Sequence, residues 1–337
     1  MLYVRPARLS DLAEVRRLAA ASLIGVTSLP DDGEQLAQKI AASEAAFAAE
    51  VSFAGEESYF FVLEDSQNQR LLGCSAIVAS AGCSEPFYNF RNETFVHASR
   101  ALSVSSRIHA LSLCHDLSGN SLLSSFYIDP TLAQSAQAEL ISRARLLFVA
   151  SFPQRFSDTL VAEIVGLSDE QGRSPFWEAV GRNFFDISYV EAERLCASES
   201  RTFLAELMPH YPLYVPLLPD DAQEAIGQVH PRAQLSFDIL SREGFETERY
   251  IDPFDGGPCL LARTAAIRSI AQSQPFTATQ VAAVGKTQPY LVCNGRLRDF
   301  RALLVETAPK AGQLPLPVEA LQALAVSEGE PLRAVEL

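Results

Sequence analysis

A mixed α/β fold is what this sequence predicts, and three observations carry the prediction. Apolar periodicity switches repeatedly between the helical and the strand repeat, so both kinds of element share the core. Tyr59-Phe-Phe-Val-Leu and the run 71–79 flank the turn Ser66-Gln-Asn-Gln, which makes an antiparallel hairpin rather than a crossover. The strand 122–128 stops at Asp129-Pro130 and feeds a long helix over 132–149. Hairpins beside strand–helix units build a mixed sheet, unlike the strict alternation of a doubly wound nucleotide fold.

The elements follow in order. Residues 2–4 read as a short strand, and Ser10-Asp-Leu-Ala-Glu starts a helix with Ser10 as N-cap and an acidic first turn. Alanine-rich 34–50 keeps apolar residues at helical spacing and is a second helix. After the hairpin and a loop with Pro86, 94–113 reads as more sheet, and His115-Asp-Leu-Ser-Gly-Asn is a turn cluster. Beyond the long helix come a strand over 160–165, a helix over 175–180 and an aromatic-led strand near Phe184. Gly181 falls where a left-handed C-cap is expected, and Gly244 occupies the same place in a similar helix–glycine–aromatic unit over 237–245. This hints at an internal repeat, although the spacing differs. Past Gln272 the composition turns Gln/Thr/Pro-rich, with strands over 289–294 and 300–305, then a helix, a Glu-Gly turn and a final strand over 318–337. Three parts follow: 1–195 around the long helix, 196–272 as a second α/β segment completing a substrate site, and 273–337 as a small β-rich appendix.

Composition excludes several function classes. The chain has 337 residues, 48% hydrophobic and 20% charged, which is globular composition. A net charge of −14 argues against a nucleic-acid partner, because phosphate neutralisation needs a basic face. No apolar run approaches the ~18 residues of a membrane span, and Met1-Leu-Tyr-Val-Arg-Pro shows no signal-peptide pattern. The expected compartment is the cytoplasm. The six cysteines form no C-x-x-C pair and read as buried reduced thiols, and no metal-ligand spacing appears. A G-x-S-x-G elbow and a G-x-x-x-x-G-K loop are both absent, and Cys114 beside His115 is too local for a dyad.

The element order, with a proline-punctuated strand before the long helix, resembles the GNAT acyltransferase superfamily. The resemblance implies that strand 122–128 splays from its neighbour to take a pantetheine arm and that the next helix start takes the pyrophosphate. Where that superfamily carries an Arg/Gln-x-x-Gly-x-Gly/Ala loop, this chain has Ala133-Gln-Ser-Ala-Gln-Ala138, without glycine. A closer resemblance spans nearly the whole chain. Thr27-Ser-Leu-Pro, Val62-Leu-Glu-Asp, Pro86-Phe-Tyr-Asn, Val96-His-Ala-Ser, Ser174-Pro-Phe-Trp, Phe203-Leu-Ala-Glu-Leu-Met-Pro, Gly227-Gln-Val-His-Pro and Phe254-Asp-Gly-Gly-Pro look like the arginine N-succinyltransferase family, in its order. Among its members the chain most resembles the alpha subunit of the two-subunit form acting on arginine and ornithine.

That resemblance implies transfer of succinyl from succinyl-CoA, a co-substrate rather than a resident cofactor, to the α-amino group of L-arginine, with L-ornithine as a further acceptor. A homologous beta subunit is the implied partner. The family's proton-donor position falls on His230, and its succinyl-CoA-contacting strand position on Phe126. Ile128 joins Phe126 by the period-two geometry of a strand. Histidine suits either proton step because its ordinary pKa of ~6.5 lies near working pH. Without the resemblance, His230 before Pro231 also reads as a cap. Asp116, Asn120 and Asp255 are candidates for the acceptor's charged groups, though turn formation explains them as well. Arg143 and Arg145 are weighed as partners for CoA phosphates, but in mid-helix they read as solvated or ion-paired. The rival reading is a non-catalytic partner subunit, which the glycine-free loop favours and His230 disfavours.

Overall fold

The computed structural model describes residues 1–198, 202–281 and 287–337. The chain opens with β1 (Leu2–Pro6), α1 (Leu12–Ala20) and α2 (Gly33–Ala48), followed by the hairpin β2 (Ser58–Asp65) and β3 (Leu71–Val78). β4 (Asn89–Ser99) and β5 (Val104–Cys114) form a long two-stranded ribbon, the sheet expected over 94–113. Then come β6 (Ser121–Ile128), α3 (Ala136–Ser151) and β7 (Thr159–Glu163). A helical insert holds α4 (Pro175–Ala179), α5 (Arg182–Phe185), α6 (Tyr189–Ser198) and α7 (Thr202–Leu207), then β8 (Leu213–Tyr214) and α8 (Asp220–Ala225). α9 (Gln234–Arg242), β9 (Glu246–Ile251), β10 (Pro258–Arg263) and α10 (Arg268–Gln272) follow. The last part comprises β11 (Gln274–Gln280), β12 (Gln288–Asn294), β13 (Ala302–Thr307), β14 (Gln313–Leu316), α11 (Val318–Leu324) and β15 (Pro331–Glu336).

Among the described residues these strands make one mixed sheet in the order β14-β11-β15-β12-β13-β1-β2-β3-β6-β7-β10-β9-β4-β5-β8. The mixed α/β class is therefore the observed one. β1 joins its two halves, pairing Tyr3 with Leu303 on one side and Tyr3 with Glu64 on the other. Most neighbours are antiparallel, whereas β6 and β7 are parallel because α3 connects them as a crossover.

α3 is apolar almost all round, with residues 140 to 149 buried, so it is a central helix rather than an amphipathic surface one. Phe148 on it touches Phe47, Tyr59, Phe61, Phe152, Phe156 and Phe300 with ring centroids 5.0–5.8 Å apart. This cluster ties α2, the β2 strand and the start of β13 to one helix. Such edge-to-face contacts add about 0.5–1.5 kcal/mol per pair beyond burial.

Several local expectations are corrected. Ser10 does not cap α1. A 3-10 turn, Leu9–Asp11, precedes the helix, and Asp11 organises it by accepting from the Arg8 amide at 2.8 Å and Arg5 Nη1 at 2.7 Å. Arg5 is buried and needs both Asp11 and Glu64, so the carboxylate outcompetes the serine. Gly181 is right-handed, at φ −60° and ψ −45°, and leads into the helical turn α5 where a strand was expected near Phe184. Its small size, not its freedom, is required: a Cβ would lie 2.3 Å from Trp177 Cε3. Gly244, in contrast, takes φ +94° after α9, as a C-cap glycine does. The two units therefore use their glycines differently, and the similarity does not amount to a repeat. The long helix starts four residues later than its apolar pattern, because Pro130–Leu132 forms a 3-10 turn and Ser135 is the cap.

Candidate functional site

β6 and β7 pair only at Ser121–Leu160, Leu122–Val161 and Leu123–Ala162. Beyond Leu123 they diverge, because β6 bends at Ser125. That residue has φ +54°, and the β3–β6 register slips between Cys74 and Ala76. A serine in the left-handed region needs support, and Ser28 provides it. Ser125 N donates to Ser28 Oγ and Ser125 Oγ donates to the Ser28 carbonyl, both at 2.9 Å. The result is a V-shaped opening that continues into a groove between α3 and α9, a cleft of about 1060 Å³.

Phe126 and Ile128 both line this cleft, as do Ile164 and Val165 on the opposite arm. Phe126 packs on the α3 side of the sheet and Tyr127 on the α1–α2 side, so β6 presents the two faces that strand alternation dictates. The glycine-free stretch 133–138 forms the start of α3, and Ala133, Gln134 and Ser135 line the cleft. None of its residues has positive φ, so this loop does not need glycine's conformational freedom. Ser135 Oγ accepts from Gln137 N at 3.3 Å, a standard cap.

His230 stands at the edge of the cleft. Its backbone N–H donates to the Val165 carbonyl at 2.9 Å, and both Val165 and Pro231 line the cavity. The imidazole is also a cap, as the bland sequence reading had it: Nδ1 accepts from Arg232 N at 3.1 Å at the start of the 3-10 turn Pro231–Ala233. An acceptor nitrogen carries no hydrogen, so the neutral ring holds its proton on Nε2. Burial lowers its pKa below the usual imidazole value, with nearby Arg232 acting in the same direction.

Asp255 supports the same edge from behind. Its carboxylate accepts from Gly166 N at 2.7 Å, Gly257 N at 2.8 Å and Tyr189 Oη at 3.2 Å, and thereby fixes the segment that holds His230. Burial, reinforced by Asp252, pushes its carboxyl up to about 8. Asp255 thus serves the backbone, away from the cleft lining. Asp116 pairs with Arg91 at 2.7 Å and Asn120 bonds the Leu117 carbonyl at 3.0 Å, and neither lines the cleft.

Of the two arginines read as solvated or ion-paired, Arg143 is ion-paired, but neither is solvated. Arg143 and Arg145 are 2% and 1% exposed, and both line the cleft. Arg143 Nε pairs with Glu243 at 2.9 Å, while Glu139 lies 3.7 Å from its Nη1. Glu139 also pairs with Arg242. Arg145 has no carboxylate within ion-pairing distance among the described residues, and backbone carbonyls and Ser142 surround it instead. The signal was available: a helix without a polar face has no solvated side to offer an arginine.

Among the described residues no group of three or more His, Cys, Asp or Glu is placed to hold a metal, and no helix is long and apolar enough to cross a membrane. Cys74, Cys259 and Cys293 are buried thiols as expected, whereas Cys83 is exposed.

Comparison with known proteins gives consistent findings. A family model described as arginine N-succinyltransferase beta subunit matches residues 2–269, and one described as its C-terminal domain matches 275–336. The chain is 66% identical over 336 residues to the arginine N-succinyltransferase subunit alpha of Pseudomonas aeruginosa, covering 99% of each. It is 40% identical to the arginine N-succinyltransferase of Yersinia pseudotuberculosis, covering 100% of this chain and 98% of the relative. The solved structure of arginine/ornithine succinyltransferase subunit AI from Pseudomonas aeruginosa superposes with a TM-score of 0.92 at 63% identity, over 100% of this chain and 98% of that one.

Proposed function

The chain belongs to the arginine N-succinyltransferase family, and we propose that the cleft between β6 and β7 is where it passes succinyl from succinyl-CoA to the α-amino group of L-arginine, with L-ornithine as a further acceptor. It is an acyltransferase of arginine metabolism. The observation that carries the placement is the divergence of the two parallel strands after Leu123, with Phe126 and Ile128 along one arm and His230 held against the other. A pantetheine arm suits that opening, because β6 beyond Leu123 has no β7 partner and its edge toward β7 along 126–128 is open to an amide chain. Phe126 and Ile128 supply apolar walls for it.

In the transfer the neutral amine attacks the thioester carbonyl, an N–C bond forms and the C–S bond breaks. The amine gives up one proton and the CoA sulfur ends with one. His230 presents Nε2–H, a donor suited to the negative charge that grows on the carbonyl oxygen and then on sulfur. Its lowered pKa keeps the ring neutral at working pH. Uptake of a proton at Nδ1 requires the bond from the Arg232 amide to open, so the neutral ring first serves as a hydrogen-bond donor that keeps its Nε2 proton, and the proton the sulfur gains is the one the amine releases.

The three segments then divide the labour: 1–195 supplies β6, α3 and β7, 196–272 supplies His230 and α9, and 273–337 is the β-rich end. Free thiols fit a reducing cytoplasm. A homologous beta subunit is the proposed partner. Support comes from exposed Val96, Leu102 and Val104 on the β4–β5 ribbon and from exposed Tyr211 and Leu217 in the neighbouring insert. Thiol release from succinyl-CoA with L-arginine, measured on this chain alone, tests the reaction. Activity confined to a mixture with a second subunit would refute self-sufficiency, and a fully active His230→Asn variant would remove His230 from the chemistry.

A further inference from the structure

Past the vertex where β6 leaves β7, the cleft meets both faces of the sheet. On one face Ala162 and Ile164 pack in the core cluster of α3. The other face of β7 carries Val161, which packs with Cys259 and Leu122. Leu122 pairs with Val78, two residues from Ala76, and Ala76 packs beneath α1 and α2. Glu163 follows Val161 by two residues and stands opposite Cys259 of β10, so strand alternation puts its side chain on this α1–α2 face. It is the next β7 residue after the last pair, Leu123–Ala162, and it lines the cleft. The loop between α1 and α2 reaches the cleft through Thr27 and Ser28, and Tyr127 lines it from β6.

Position, orientation and chemistry each give this carboxylate a task. The backbone N–H of His230 is tied to the Val165 carbonyl, and Val165 lies two residues from Glu163, about 7 Å along the strand. The imidazole and the carboxylate thus flank one short stretch of the β7 arm. Asn89, fully buried at the start of β4, donates from Nδ2 to Glu163 Oε1 at 3.1 Å. Such a bond from a rigid strand orients the carboxylate, as a group that acts on a substrate requires. The acceptor's amine is an ammonium near neutral pH and cannot attack until one proton has left. His230 keeps its Nε2 proton and its Nδ1 is engaged by the Arg232 amide, so the ring does not take that proton. The other cleft-lining carboxylates among the described residues, Glu139, Asp238 and Glu243, belong to α3 and to α9 with its C-cap. There they accept from Arg242, Gln234 and Arg143.

We propose that Glu163 receives the α-ammonium of the amino-acid acceptor on the α1–α2 face of the sheet and takes from it the proton that must leave before attack. The inference rests on reading the cleft as the acyl-transfer site and names the acceptor's place in it. The acyl-CoA then lies on the α3 side, along Phe126, Ile128 and the groove to α9, and the two substrates meet at the vertex from opposite faces. The ammonium gives one proton to the Glu163 carboxylate. The neutral amine forms the N–C bond as the C–S bond breaks, its second proton goes to sulfur, and the Glu163 carboxyl returns the first proton to solvent. The acceptor's guanidinium is the competing cation for the same carboxylate.

The test uses Glu163→Gln, whose amide oxygen can still accept from Asn89, and measures kcat/KM for L-arginine against pH beside the dissociation constant of succinyl-CoA. At neutral pH kcat/KM should fall about 10²–10⁴-fold, while the succinyl-CoA constant should stay within about twofold. The wild-type profile should be flat around neutral pH. That of Glu163→Gln should climb about tenfold per pH unit, because it can use only amine that is already neutral. Glu163→Asp should keep the flat profile at a reduced rate, and it decides the question should Glu163→Gln not fold. Parallel pH profiles, or an equal loss of affinity for succinyl-CoA, would show a merely structural residue and overturn the proposal. Nα-acetyl-L-arginine, which has no α-ammonium, should bind wild type and Glu163→Gln alike. Weaker binding to the variant would assign Glu163 to the guanidinium and also overturn it. A wild type without succinyl transfer would refute the proposed function, while calorimetric binding of L-arginine to wild type and variant would still decide whether Glu163 holds the ammonium.

Discussion

Replacing Glu243 by alanine should unfold the protein at a lower temperature by an amount set by one buried charge. Glu243 and Arg143 are each 2% exposed, and Glu243 Oε1 stands 2.9 Å from Arg143 Nε. Glu243 Oε2 also accepts from Ser269 N at 2.7 Å, fixing the start of α10. Removing the carboxylate strands a buried guanidinium whose nearest remaining carboxylate, Glu139, is 3.7 Å away. Breaking such a pair from one side costs about 3–5 kcal/mol. At about 2.1 cal/mol/K per residue over 337 residues, the unfolding entropy is about 0.7 kcal/mol/K, so Tm should drop by about 4–7 °C. The double variant Arg143→Met with Glu243→Leu removes both charges and fills the space with apolar atoms. It should recover to within about 1 kcal/mol of the wild type or exceed it. Thermal unfolding followed by far-UV circular dichroism measures Glu243→Ala and the four corners of the cycle: wild type, Arg143→Met, Glu243→Leu and the double variant. A single variant that loses under about 1 kcal/mol, or a double variant as unstable as the two singles added, would refute the account of Arg143 as a charge held by its partner.

Three further outcomes are expected. His230→Asn keeps an acceptor for the Arg232 amide, so it should fold normally yet lose about 10²–10⁴-fold in turnover, whereas His230→Ala should also lose about 1 kcal/mol from the missing cap. Because the folded pKa of His230 is depressed, the native chain binds fewer protons than the unfolded one just below pH ~6.5. Its contribution to stability is therefore present above that value and lost as pH falls through the folded pKa, a slope that a pH series of Tm should show in the wild type and not in His230→Asn. Asp255→Asn turns one amide –NH₂ toward backbone donors at Gly166 or Gly257. It should cost about 1–3 kcal/mol and lower turnover through the 165–166 segment, with donor affinity retained. Gly181→Ala sets a methyl against Trp177, which is stacked between Phe185 and Phe254 at 5.6 and 5.4 Å, and should destabilise by about 1–3 kcal/mol in urea unfolding.

The architecture was largely legible because periodicity reports which face of an element is buried. The β2–β3 hairpin, β6 with its proline stop, and α11 with β15 all announce themselves in the order of apolar residues and turns. What failed was decided by distant partners. Ser10 is a good cap by type, but Arg5 and Glu64 draw Asp11 into the position of control. Gly181 looks like a left-handed cap, yet the Trp177 ring determines its role. Phe126 and His230 came from the resemblance and Ile128 from strand alternation; Phe126 and Ile128 line the cleft, and His230 stands at its edge. The burial of Arg143 and Arg145 was missed because it is set by partners distant in sequence, Glu243 and Ser269 for Arg143 and the Ala76 and Ser124 carbonyls for Arg145. Only the all-round apolar character of α3 gave a local warning that its arginines are buried.

The position of β1 at the centre of the sheet also bears on how the chain reaches its native state. Tyr3 and Val4 must wait for Leu303 and Ala302, some three hundred residues later, before their outer edge is covered. Contacts of such sequence separation slow folding, since the loop must close before the pairing repays it. During synthesis β1 and β2 therefore form an open, apolar edge of the kind that recruits strands from other molecules. Arrival of β13 converts that edge into an interior seam. The protein's exposure to misassembly is thus concentrated in a time window, and a chaperone present during synthesis, or faster translation of the last part of the message, should raise soluble yield more than any substitution that strengthens the finished core.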